Sequence, residues 1–204
     1  MKISIISGSS REASQSEKIG RYIEKTLLDK GLCDDAWLYS LRGNPLPLWD
    51  ESIWDGDPTW QALLQPISQQ LASSDGFVVI APEWHGQVPS GLKNFFLMWS
   101  KGELAHKPAL IVTVSSGDGG AYPVAELRMS SYKNNRICYM PEQIIVRNAE
   151  SVLNSREADN NADSDQYFRA RFDYALTLLR EYALALRQVR NSGAADLSVF
   201  KNGM

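Results

Sequence analysis

Three short runs of nearly unbroken apolar residues constrain this chain more than any other feature: ISII within Lys2–Ile6, FVVIA at Phe77–Ala81 and ALIVTV at Ala109–Val114. A strand with one wet face alternates apolar and polar residues, so a run apolar throughout must be covered on both faces. Two further β-prone runs, Asp35–Leu41 and Glu142–Arg147, are more mixed, and Asp35–Leu41 reads as an edge. Helical periodicity fills the gaps. Ile19, Tyr22, Ile23, Thr26 and Leu27 share one helix face, with Ser14 and Glu17 spaced as a capping box. Ile67 and Leu71 mark a second helix, expected to begin at Pro66 because proline is tolerated in the first turn. Leu92, Phe95, Phe96 and Trp99 mark a third helix, and Ala121–Tyr132 a fourth. The fifth carries Phe168, Phe172, Ala175, Leu179, Tyr182, Leu186 and Val189 on one stripe. Strand and helix alternating five times predict an α/β fold, a three-layer αβα sandwich around a five-stranded parallel sheet.

The 204 residues carry 21 Lys and Arg against 24 Asp and Glu, a net charge of −3. Without basic clusters, nucleic acid is not expected as a partner. No apolar run approaches the roughly 20 residues of a membrane span, and the N-terminus lacks the pattern of a secretory signal. Cys33, Cys138, His85 and His106 are too scattered to suggest a metal cluster. The expectation is a cytoplasmic, reduced protein, one domain over residues 1–204, with a weakly patterned tail from 192. The stretch Asn44–Asp57 reads as a Pro- and Trp-rich loop, and Glu157–Asp165 as a polar connector.

In an open α/β sheet, ligands bind beyond the carboxyl ends of the strands, where the strand order reverses. Three unusual segments map there. Ser7-Gly8-Ser9-Ser10-Arg11-Glu12-Ala13-Ser14-Gln15-Ser16 follows strand one and enters a helix. Its hydroxyls, its arginine and the helix N-terminus suit a terminal phosphate, yet it matches neither GxxxxGK[ST] nor GxGxxG. A serine-rich turn that merely caps a helix is the alternative. Ala81–Asn94 follows strand three, with two prolines and two glycines around Trp84 and His85. Trp84 either stacks on a planar ligand or covers the sheet end, and Glu83 either caps local N–H groups or touches ligand. His85 reads as a solvent-facing turn residue, not a base. Ser115-Ser116-Gly117-Asp118-Gly119-Gly120 follows strand four and can form a backbone nest.

These segments resemble the NAD(P)H-dependent FMN reductase family of flavodoxin-like proteins. Gly8–Ser16 follows that family's GSxRxxSxN with Ser16 in place of Asn. Pro82–Asn94 follows PEYNGSxPxxLKN with Trp84, His85 and Gln87 substituted. The SSGxGG stretch at Ser115–Gly120, Leu127-Arg128 and PLPLWD at Pro45–Asp50 also fit. The resemblance implies strand order 2-1-3-4-5, bound FMN, NADPH or NADH as electron donor, and a homodimer or homotetramer. By position, Ser9, Arg11, Ser14, Gln15 and Ser16 would hold the FMN phosphate. Pro82, Glu83, Trp84, His85 and Gly86 would line the ribityl chain and isoalloxazine. Ser115, Gly117, Gly119 and Gly120 would approach the pyrimidine end, with the Gly119 and Gly120 N–H groups near N1 and O2.

The flavin would perform the redox step, which accords with a sequence that offers no protein nucleophile or acid–base pair. The expected reaction is hydride transfer from NAD(P)H to FMN N5, then electron delivery to a quinone, azo compound, metal oxyanion or second flavin. The competing readings are a flavodoxin-type electron carrier and an FMN-binding regulatory module. Leu46, Leu48, Trp49 and Trp54 make Asn44–Asp57 too apolar for a free loop: it folds over its own sheet edge or packs on a partner subunit.

Overall fold

A computed structural model describes residues 1–203. Its strands are β1 (Lys2–Ser7), β2 (Asp35–Ser40), β3 (Gly76–Pro82), β4 (Pro108–Val114) and β5 (Cys138–Val146). Its helices are α1 (Gln15–Asp29), α2 (Pro58–Ser73), α3 (Ser90–Leu97), α4 (Ala121–Ser130) and α5 (Ala162–Asn191). The strands form one all-parallel sheet in the order β2-β1-β3-β4-β5, as expected. Alternate residues of each central strand enter opposite layers. Ile3, Ile5, Val78, Ile80, Leu110 and Val112 pack against α1 and α5. Ile6, Phe77, Val79, Ala81, Ala109 and Ile111 pack against α2, α3 and α4. Both faces are dry, which is why β3 and β4 read as continuous apolar runs. No helix among the described residues is long and apolar enough to cross a membrane.

Several boundaries differ from the sequence expectation; Trp99, expected on the third helix, lies just beyond its end at Leu97. Helix α2 begins not at Pro66 but at Pro58, where Asp57 accepts from the N–H groups of Thr59 (2.7 Å) and Trp60 (3.2 Å). Pro66 lies inside it. The carbonyl left without a donor is that of Ala62, and both residues are exposed, so water can take the bond. Meanwhile Trp60, Leu64, Ile67 and Leu71 hold the helix to the sheet across the proline.

The acidic end of the Glu157–Asp165 connector is the first turn of α5, capped by Asn161; Asp163 and Asp165 sit where a helix favours negative charge. Strand β5 starts earlier, at Cys138, which pairs with Pro108; its register then jumps from Ala109–Tyr139 to Ile111–Gln143 around Pro141, a residue tolerated at an edge. Helix α4 stops at Ser130 rather than Tyr132.

Two charged clamps close the end of the sheet away from its carboxyl edge. Asp75 accepts from the Lys2 N–H (3.1 Å) and from Arg187 (2.6 Å) and Arg190 (3.2 Å) near the end of α5. Lys107 is buried and donates to the carbonyls of Leu71, Ala72 and Glu103 at 2.7–2.8 Å, satisfying the last turn of α2.

Candidate functional site at the carboxyl edge of the sheet

Because β2 and β3 lie on opposite sides of β1, the chain leaving β1 and the chain leaving β3 diverge and open a crevice. The β1–α1 loop is stitched to β3: the Gly8 N–H donates to the Ile80 carbonyl at 2.8 Å. A Cβ at Gly8 would lie 2.7 Å from Leu92 Cδ2 and 2.8 Å from the Ile80 oxygen, so only glycine fits.

Ser14 is the N-cap of α1, its Oγ accepting from the Glu17 N–H at 3.0 Å. The capping box is only half made. The Glu17 carboxylate accepts instead from Arg21 (2.7 Å) and the Ser40 hydroxyl (2.9 Å). Burial pushes that carboxyl up, but these bonds and the nearby Arg42 charge outweigh it and hold it below its ordinary range. Ser9 is buried, its Oγ accepting weakly from the Arg11 N–H at 3.4 Å.

Three oxygens in this corner, Ser7 Oγ, Gln15 Oε1 and Ser16 Oγ, are buried without a hydrogen-bond partner. Arg11 is exposed and makes no ion pair among the described residues. Unspent helix N–H groups, orphaned buried polar atoms and a free guanidinium fit a phosphate monoester.

The β3–α3 turn closes on itself, Trp84 N–H to the Gln87 carbonyl (3.1 Å) and Gln87 N–H to the Trp84 carbonyl (3.0 Å). Its central residues, His85 (φ +50°) and Gly86 (φ +71°), are both left-handed, the sign pattern of a type I′ turn. His85 is exposed and Trp84 half-buried, while Pro82 is buried in the last position of β3 and offers a ligand only backbone.

Glu83 caps backbone N–H groups of a distant loop. Its Oε2 accepts from the N–H groups of Gly120 (2.8 Å) and Tyr122 (3.3 Å), so it caps α4 and ties the second loop to the third. The expectation for Gly120 changes with it. Its N–H is spent on Glu83, so it is not free to donate to a flavin ring.

The β4–α4 loop has its carbonyls anchored inward. Arg147 Nε donates to Asp118 (2.7 Å) and Gly119 (3.1 Å), Asn148 N–H to Gly117 (3.1 Å), and Thr113 Oγ1 to Gly120 (2.6 Å). The Ser115 hydroxyl accepts from the Gly117 N–H at 3.2 Å. Gly120 has φ +101°, and a Cβ there would lie 2.6 Å from Ile145 Cγ2. The sequence motifs gave no sign of Thr113, Arg147 or Glu126, whose Oε2 accepts from the Val88 N–H at 2.7 Å and whose carboxylate also pairs with Lys93.

The Asn44–Asp57 segment is a strap containing a 3₁₀ turn, Glu51–Ile53. Asn94, buried in α3, donates to the Pro47 carbonyl (2.7 Å) and accepts from the Trp49 N–H (2.8 Å). The Asn of the LKN stretch thus fastens the backbone of the PLPLWD stretch. Leu46, Trp49 and Ile53 face the core, whereas Leu48 and Trp54 are 78% and 73% exposed. Two cavities, of about 670 and 310 Å³, flank the Trp49–Trp54 pair along α3. Neither touches the β1–α1 loop, so they belong to the strap face rather than to the phosphate cradle.

Comparison with known proteins agrees with this architecture. Residues 1–151 match the family model described as NADPH-dependent FMN reductase. An NADPH azoreductase of Bacillus sp. (strain OY1-2) is 24% identical over 148 residues, 72% of this chain and 76% of that protein. A quinone reductase of Escherichia coli K12 is 36% identical over 80 residues, 37% of this chain and 42% of that protein. The structure of FerB, a flavoenzyme NAD(P)H:(acceptor) oxidoreductase from Paracoccus denitrificans, superposes with a TM-score of 0.70 at 19% identity, covering 90% of this chain and 97% of that one. The chain belongs to the NADPH-dependent FMN reductase family: it is an oxidoreductase that uses FMN, with NAD(P)H as electron donor.

Proposed function

We propose that this reductase passes electrons from NAD(P)H to a small oxidised acceptor of the quinone or azo class. Bound FMN supplies the two-electron redox chemistry between donor and acceptor. The chain's own residues bind and orient it. The observation that carries the reading is the cradle at the start of α1, with its orphaned Ser16 and Ser7 hydroxyls, unpaired Arg11 and helix N-terminus. Gln15 and Ser16 would offer backbone N–H groups to the phosphate, and Arg11 its guanidinium. The closed turn around His85 and Gly86 would supply a rigid wall for the ring. Glu83 would hold the third loop against it, keeping Gly117 and Gly119 close enough for backbone contact.

We place this enzyme in the cytoplasm as a homodimer or homotetramer. A second copy fits the strap face, where Leu48, Trp54, Leu97 and Met129 are exposed. Lys93, Glu126 and Lys133 border the larger cavity there, and mixed charge of this kind suits a self-complementary twofold contact.

The test is the visible spectrum of the purified protein, recorded anaerobically before and after NADPH, then after a quinone or an azo dye. A flavin spectrum that bleaches with NADPH and recovers with acceptor supports the reading. A protein that binds no FMN, or whose flavin NAD(P)H cannot reduce, overturns it. Light scattering at micromolar concentration decides the assembly, and a monomer overturns that part.

A further inference from the structure

The corner behind the phosphate cradle holds two carboxylates, which an anion would meet unfavourably. Glu17 is 8% exposed in the first turn of α1, and Glu12 stands in the loop itself. A phosphate monoester adds up to two further negative charges. What opposes this charge is set by the segment that follows β2. Leu41 N–H donates to the Ser7 carbonyl (2.9 Å) and Gly43 N–H to the Ser10 carbonyl (3.0 Å), so the chain crosses the cradle on either side of Arg42. The Arg42 N–H donates to Ser40 Oγ at 3.2 Å, and that hydroxyl donates to Glu17 Oε2 at 2.9 Å. Arg42 Nε lies 3.8 Å from both Glu12 Oε2 and Glu17 Oε2. At that distance the guanidinium is paired with two carboxylates yet bound by a close hydrogen bond to neither. Arg21 takes the other Glu17 oxygen, and Arg11 has no carboxylate partner among the described residues.

We propose that Arg42 is a positioning residue for the anionic end of the cofactor, offsetting the Glu17 and Glu12 carboxylates so that the cradle accepts a doubly charged phosphate. The proposal rests on the FMN reading above. It assigns Arg42 no contact with the flavin ring and no part in electron transfer. Without Arg42, the phosphate would meet Glu12 and Glu17 with only Arg11 and Arg21 to counter them.

The experiment compares FMN with riboflavin, the same ring and ribityl chain without the phosphate, by flavin fluorescence titration of the FMN-free protein. Arg42→Gln should weaken FMN binding about tenfold, equivalent to about 1.4 kcal/mol, and leave riboflavin within about twofold. Arg42→Lys should keep most of the FMN affinity. Adding Glu17→Gln to Arg42→Gln should restore FMN binding to within about threefold of the native chain, since the uncompensated charge is gone. If Glu17→Gln disturbs the start of α1, Glu12→Gln at its exposed position carries the same rescue. Equal losses for FMN and riboflavin, or an unchanged FMN affinity in Arg42→Gln, overturn the proposal. A native chain that binds FMN no better than riboflavin overturns the phosphate cradle itself, which is a different failure.

Discussion

Glu83 offers a sharp test of how the site is held together. Replacing it with alanine removes the acceptor for Gly120 N–H at 2.8 Å and Tyr122 N–H at 3.3 Å. A hydrogen bond to a charged group contributes about 1.5–3 kcal/mol, and the longer, exposed bond to Tyr122 adds little. Losing a capping side chain costs about 0.5–2 kcal/mol by itself. The two ranges describe the same event and overlap near ~2 kcal/mol. For a chain of this length that is a melting-temperature drop of about 4–8 °C. Glu83→Gln keeps an oxygen in place and gives up only the charge at the α4 N-terminus, about 0.3–1 kcal/mol. Urea denaturation of the FMN-free protein measures both variants. Amide exchange at Gly120 checks the cause, since its protection should vanish in Glu83→Ala and persist in Glu83→Gln. A loss below about 0.5 kcal/mol in the alanine variant, or equal losses in the two variants, would refute the capping argument.

Three further outcomes follow from the same geometry. Gly120→Ala should cost about 3 kcal/mol in urea denaturation, adding left-handed strain to a methyl 2.6 Å from Ile145 Cγ2, and Ile145→Ala should recover part of it. Asp75 is pushed up by burial, but its bonds to Arg187 and Lys2 and the charges of Arg187 and Arg190 outweigh this and hold it below the usual carboxylate range. Its stabilisation is therefore present above an unfolded pKa of about 3.9 and lost as pH falls through the folded value. Asp75→Asn should cost about 2 kcal/mol at pH 7 and progressively less as urea titrations move below about pH 4. Burial, and then the Arg190 charge, draw the Lys107 ammonium down to about 8. The unfolded state then binds more protons between there and the ordinary lysine range, so this group makes stability rise with pH. The native chain should gain on Lys107→Met by about 1.5 kcal/mol between pH 8 and 9.5, and a difference that stays flat would count against the burial argument.

How much of this was legible beforehand depends on how local each cause is. Strands β1, β3 and β4 announce themselves because two-sided burial removes nearly every polar residue that would break the run, leaving only the small Ser4 and Thr113 inside. The chemistry of the crevice follows from local spacing as well: a hydroxyl-rich bend entering a helix, a proline-flanked turn, a glycine cluster. What sequence spacing missed is partly local, as at the start of α2, and partly set by residues far apart in the chain. Asp57 and a stripe spanning Trp60–Leu71 override the proline that suggested a helix start at Pro66. The cap made by Glu83 depends on Gly120, far along the chain, and the role of Asn94 on Pro47 and Trp49. Glu17 has the right spacing for a capping box, yet Ser40 and Arg21 compete for its carboxylate and win.

The grip of Asn94 on the strap has a corollary. It holds the carbonyl of Pro47 and the amide of Trp49, groups that nearly any residue would present, and it reads nothing of the side chains between and beyond them. Leu48 and Trp54 point outward from a backbone fastened by other means. Changes to those outward side chains can therefore alter what the panel meets, while the backbone that carries it stays bolted to α3.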